Sequence, residues 1–112
     1  MSAYNEPYEE LDQKTRDISR AINSLKEELE AIDWYNQRVT ASQNASLKEI
    51  MAHNRDEEIE HACMAIEWLR RNMDGWNEEL HTYLFTEGSL IHVEEGNNAN
   101  NNTTGINIGD LK

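Results

Sequence analysis

Only one cysteine, Cys63, occurs in the 112 residues, which excludes a disulfide within the chain and suits a reducing interior. Basic side chains are scarce as well: 10 Lys and Arg stand against 22 Asp and Glu, for a formal net charge of −12. That balance opposes phosphate backbones and anionic lipid heads, and argues against nucleic-acid and membrane partners. It suits attraction of cations, although an excess of one charge also serves solubility alone. No apolar run approaches membrane-spanning length, and the residues after Met1 carry no basic-then-apolar leader pattern, so cytoplasmic residence is expected. Apolar residues are themselves limited to 38%. They suffice for a helical hairpin with one sticky face, and such a hairpin completes its core against a partner chain. A homo-oligomer is therefore expected before any motif is read.

What the sequence does hold is helical periodicity. Pro7, the sole proline, is tolerated in a first helical turn because its missing N–H would be unpaired there. A first helix is expected from about Pro7 to about Ser42, where Leu11, Ile18, Ile22, Leu25, Leu29, Ile32 and Val39 draw one apolar stripe. Residues 40–45 lower helix propensity and read as a turn. Ser46 and Glu49 then form an S-x-x-E capping box for a second helix reaching about Asn72, with Leu47, Met51, Ala62, Ala65 and Leu69 in its stripe. So short a turn favours an antiparallel pair. Asp74 is read as the cap of a third, shorter helix through Trp76, Leu80, Tyr83 and Leu84, ending near Gly88. Residues 97–104 include five asparagines and read as a flexible tether. Beyond it, Ile106, Ile108 and Leu111 restore apolar character, as in a docking peptide or, equally, a frayed terminus. The expected architecture is all-α: an antiparallel two-helix hairpin plus a short third helix over residues 1–88, and a flexible tail over residues 89–112. No internal repeat is visible.

Glu58 and His61 carry the strongest chemical signal. Three apart on a helix they share a face, so a carboxylate oxygen and an imidazole nitrogen can converge on one metal ion. By helical angle both fall within the apolar stripe, beside the small Ala62 and Ala65. A lone carboxylate buried there would cost several kcal/mol, and a cation removes that cost. E-x-x-H alone is common as a solvated pair; its position in the stripe is what favours a metal. On the first helix, Glu28 lies at the stripe margin between Leu25 and Ile32, with Tyr35 two turns on at nearly the same angle. A bridging carboxylate with a phenol nearby fits an oxygen-ligand iron site, although for either residue alone the ordinary reading, a stripe-edge glutamate and a half-buried aromatic, is the better one.

A bundle-type di-iron site takes a Glu from each of two helices and a Glu-x-x-His from each of two others. The chain holds one of each, which is half a site. Two copies related by a two-fold axis would complete it inside a four-helix core. Zinc or manganese accepts the same ligands, and an acidic helical adaptor that dimerises through the stripe without catalysis is the alternative from another class. On the opposite face of the first helix lie Glu27, Glu30 and Trp34. Two outward carboxylates three apart can hold a hydrated cation such as calcium weakly, while a solvated face is their ordinary explanation. His53, His81 and His92 have no ligand partner at a clear spacing, and Cys63 falls on the far side of the second helix from the stripe. Asp56, Glu57 and Glu60 read as a solvated face, and Trp68 and Trp76 as core or interface fillers.

Two segments, Glu27-Glu28-Leu29-Glu30-Ala31-Ile32-Asp33-Trp34-Tyr35 and His53-Asn54-Arg55-Asp56-Glu57-Glu58-Ile59-Glu60-His61, closely resemble the encapsulated ferritins. Glu67-Trp68-Leu69-Arg70-Arg71 and Thr82-Tyr83-Leu84-Phe85-Thr86-Glu87-Gly88 extend the resemblance, which spans about Glu9 to Gly88. It implies a ferritin-like subunit whose dimer forms a four-helix bundle with a ferroxidase centre, oxidising Fe(II) to Fe(III). It also implies assembly of dimers into a ring, usually a decamer, housed in an encapsulin nanocompartment in the cytoplasm. By residue match, Glu28, Glu58 and His61 would be the iron ligands, Tyr35 a neighbour of the centre, and Glu27, Glu30 and Trp34 a metal-uptake site. The end of the chain resembles the family's shell-loading peptide, with Gly109-Asp110-Leu111 where a Gly-Ser-Leu core is typical.

Overall fold

Asp12 starts the first long helix. In the computed structural model, which describes residues 4–103 and side chains as far as residue 96, its carboxylate accepts the Thr15 N–H at 2.7 Å. That bond satisfies a donor left free at the helix start, and hydrogen bonding from the Thr15 side chain, then from its backbone N–H, holds the Asp12 carboxyl below its usual range. Helix α1 accordingly runs Gln13–Ala41 rather than from Pro7. The preceding residues make only a 3-10 turn, Tyr8–Glu10, with Pro7 at its start and Leu11 extended. Arg16 secures this turn: its guanidinium lies 3.5 Å over the Tyr8 ring, and Nη2 donates to the Tyr8 carbonyl at 2.6 Å.

Helix α2 spans Ala45–Asn72, so the turn shortens to residues 42–44. Its start corrects the expected Ser46–Glu49 capping box. Asn44 is the cap: its Oδ1 accepts the Leu47 N–H at 3.0 Å and the Ser46 hydroxyl at 2.8 Å. Asparagine caps as well as serine does, and it comes first in the chain, so the helix begins two residues earlier than a Ser46 cap allows. At the other end, Glu67 accepts from Arg70 Nε at 2.7 Å and Nη2 at 2.8 Å, and from Arg71 Nε at 2.6 Å. These two guanidinium partners hold its carboxyl at about 2.

α1 and α2 pack as an antiparallel hairpin: Glu28 meets His61, and Asn36 meets Arg55 nearer the turn. Among the described residues the buried apolar side chains are Leu25, Ala62 and Leu69. Leu29 and Leu47, which the periodicity assigns to the stripe, stand about half exposed. The stripe on each helix is wider than one neighbouring helix covers, so much of it is left without an apolar partner.

The described residues from Met73 onward form a separate compact unit. Helix α3, Trp76–Tyr83, starts at Gly75, whose φ of +99° favours glycine; the expected Asp74 cap is displaced by one residue. Trp76 Nε1 donates to Met73 Sδ at 3.3 Å, and the Thr82 hydroxyl donates to the Glu78 carbonyl at 2.9 Å. Leu84 then turns extended, Phe85 adopts φ +61°, and Gly88 φ +83°. A further helix, α4, follows over Leu90–Thr103. This lies within the expected flexible tail and covers most of the asparagine-rich tether. Composition signals how little apolar surface such a segment can bury, whereas a helix satisfies its own backbone hydrogen bonds without burying any. Tyr83 Oη donates to Glu94 Oε2 at 3.4 Å across α3 and α4, and burial followed by the Glu94 charge raises its phenol pKa. The docking-peptide residues Ile106, Ile108 and Leu111 lie outside the described residues.

Candidate metal centre

Helical spacing and the hairpin register act together to build the site. On α2, the three-residue step from Glu58 to His61 aims both side chains to one side, with buried Ala62 beside them. On α1, Glu28 occupies the facing position. His61 Nδ1 lies 3.6 Å from Glu28 Oε2 and 3.6 Å from Glu58 Oε2. One ligand atom from each of the three residues falls within 4.8 Å of the other two. Among the described residues, this is the group of His, Cys, Asp or Glu side chains that converges in this way.

The separations fit a shared cation better than direct hydrogen bonds. At 3.6 Å an N···O pair is beyond good hydrogen-bond length. Ligand atoms bound at about 2.0–2.2 Å from one ion stand roughly 3–3.5 Å apart, so a small inward movement would seat a metal. The donor set of two carboxylates and one imidazole suits iron, zinc or manganese. The Glu28 and Glu58 side chains are each 25% exposed and His61 43%. The ligands are thus half-buried, with one side open in the single chain.

Tyr35, two turns beyond Glu28, is half-buried, and the Arg38 guanidinium sits 5.3 Å from its ring centroid. Glu27 and Glu30 are exposed on α1, as is Trp34 at about half its surface. No third ligand atom joins those two carboxylates among the described residues, and nothing in their surroundings favours calcium. His53 is exposed, 3.7 Å from Glu57, and Cys63 is exposed on α2. A shallow depression lined by Glu60, Cys63, Met64, Glu67, Trp68 and Arg71 belongs to the surface of α2 alone and brings no ligand set together. Sequence reasoning did not single out Asn36 and Arg55. The signal that could have found them is their shared register, since both face across the hairpin once Glu28 is set against His61.

Comparison with known proteins gives the same picture. Residues 3–87 match the EncFtn-like family. A ferritin-like protein from Thermotoga maritima is 52% identical over 109 residues, covering 97% of this chain and 96% of the relative. An encapsulated ferritin-like protein from Rhodospirillum rubrum is 54% identical over 101 residues, covering 90% of this chain and 72% of the relative. The crystal structure of protein ne0167 from Nitrosomonas europaea superposes with a TM-score of 0.78 at 55% identity, covering 81% of this chain and all of that one. This all-helical chain, with its Glu and His cluster between α1 and α2, belongs to the EncFtn-like family.

Proposed function

We propose that the chain is a ferroxidase subunit whose substrate is Fe(II), and that two copies join to complete a di-iron centre. The observation that carries this reading is the convergence of Glu28, Glu58 and His61 on a half-open face of the helix pair. Each chain offers two carboxylates, so a pair of chains offers four. Two Fe(II) ions balance that charge, and hard carboxylate oxygens favour Fe(III) still more strongly. In the reaction each Fe(II) gives one electron to an oxidant such as dioxygen and becomes Fe(III). Glu28 is suited to bridge, Glu58 and His61 of each chain to hold one ion together, and Tyr35 to line the surroundings. Glu27, Glu30 and Trp34 would gather hydrated metal outside the centre.

The half-exposed Leu29 and Leu47, and the open side of His61, support a second copy of the chain as the cover. The encapsulated name of the Rhodospirillum rubrum relative supports enclosure in an encapsulin shell; assembly of such dimers into a ring, a decamer in this reading, and a cytoplasmic place for the shell follow from the sequence resemblance alone. Residues 104–112 would serve as the loading tail. No helix among the described residues is long and apolar enough to cross a membrane. Stopped-flow mixing of metal-free protein with Fe(II) in air tests the reading through the rise of Fe(III) absorbance. Saturable oxidation well above the rate of free Fe(II) supports it. Tight binding of Fe(II) without faster oxidation would leave only a metal-binding module.

A further inference from the structure

We propose that the Asn36–Arg55 contact is a register pin, and that these two are positioning residues for the metal centre; this rests on the reading of Glu28, Glu58 and His61 as metal ligands. Arg55 Nη1 donates to Asn36 Oδ1 at 3.1 Å, joining α1 to α2 across 19 residues of sequence. The guanidinium is steadied from behind, because Arg55 Nε also lies 3.1 Å from Asp56 Oδ1. Its side chain is 27% exposed against 65% for Asp56, so the arginine lies against the hairpin and the aspartate outside it, while Asn36 and the bond it accepts are at the exposed edge of the seam.

The ligands sit on two different helices, and their meeting depends on how those helices slide and roll on each other. Apolar contacts between the stripes are non-directional and do not fix this closely. Slippage by one helical turn would move Glu28 about 5.4 Å past its partners, whereas a productive ligand set must be held within about 0.5 Å. In the metal-free chain the carboxylates of Glu28 and Glu58 also repel each other. A directional bond is needed nearby. Asn36 lies eight residues beyond Glu28, about 12 Å along α1, and Arg55 lies one turn before Glu58 on α2. The pin therefore stands between the turn and the ligands, in the same antiparallel register. With the turn closing one end, it leaves α1 little freedom to slide before the metal arrives.

Two measurements on the full chain test this. The first is the metal-free distance between spin labels at Lys26 and Glu60, both exposed, in a Cys63→Ser background diluted with unlabelled chain. The second is Fe(II) affinity by anaerobic titration. Asn36→Ala should broaden the distance distribution and weaken Fe(II) binding by roughly 5-fold, about what one side-chain hydrogen bond contributes. Asn36→Asp keeps the acceptor and should retain both properties. Arg55→Met keeps the stem without the donors and should reproduce Asn36→Ala. In a chain that binds Fe(II), either change alone, no change, or an equal loss in Asn36→Asp overturns the proposal. If the unsubstituted protein binds no Fe(II), the proposed function fails separately, and the distance distribution alone decides whether the pin exists.

Discussion

Glu28 and Glu27 are neighbours in sequence and opposite in situation. Glu28 turns into the seam, 25% exposed and 3.6 Å from His61, whereas Glu27 points outward. In the proposed centre, Glu28→Ala, Glu58→Ala and His61→Ala should each slow Fe(II) oxidation by at least about 100-fold, more than the usual loss from a supporting residue. Glu27→Ala and Glu30→Ala should alter the uptake phase and leave the oxidation rate at saturating Fe(II) nearly unchanged. Initial rates across Fe(II) concentrations separate the two sets, and identical profiles would refute an outer gathering role. A different carboxylate makes a small contribution to acid stability. Glu67, gripped by Arg70 and Arg71, has its folded pKa lowered from 4.5 to about 2. A depressed carboxyl stabilises the fold above its unfolded pKa and loses that contribution as pH falls through the folded one. Stability should thus decline between about pH 4.5 and pH 2, and Glu67→Gln should flatten that part of the curve. Circular dichroism melts across this range measure it.

At the scale of elements, helix boundaries follow local competition for free backbone N–H groups. Asn44 intercepts Leu47 before Ser46 can act, and Asp12 intercepts Thr15 before the turn at Pro7 can extend into α1. Asn44→Ala should therefore destabilise the hairpin by about 1 kcal/mol, while Glu49→Ala should have almost no effect. Urea titration of both variants distinguishes this cap from the expected box. The periodicity identified both long helices, and Leu25 and Leu69 do lie in the core. It did not anticipate α4, because apolar spacing is informative only where a helix has a face to bury.

At the scale of the whole molecule, the hairpin carries more apolar surface than it covers. The proposed ligand carboxylates would face their counterparts across a pair of chains, repelling one another until metal arrives. Metal-free protein should shift toward monomers or loose dimers, and Fe(II) added anaerobically should drive assembly. Sedimentation velocity shows this directly; a tight assembly unaffected by chelator would count against a metal-linked interface. The tail makes a separate claim. Removing residues 104–112 should leave folding and oxidation intact while abolishing capture on co-expression with a cognate encapsulin shell, since several weak tails per oligomer act together. Tailless protein that still loads would shift the docking surface to the helical body.

The sequence by itself determined the two long helices, their apolar stripes and the likeness of Glu27–Tyr35 and His53–His61 to encapsulated ferritins. It also placed Glu58 and His61 on one face, because a step of three along a helix is fixed by backbone geometry alone. The resemblance implied Glu28 as their companion, but only the tertiary structure brought it within 3.6 Å of His61, since that contact spans two helices and depends on their register. The register in turn involves Asn36 and Arg55, residues whose types and neighbours carry no chemical signal until the hairpin closes. Caps were settled at the same level of detail, by which of several adjacent polar side chains reaches a given N–H first. Periodicity is a property of one segment, whereas a ligand set and the bond that aligns it belong to two segments at once.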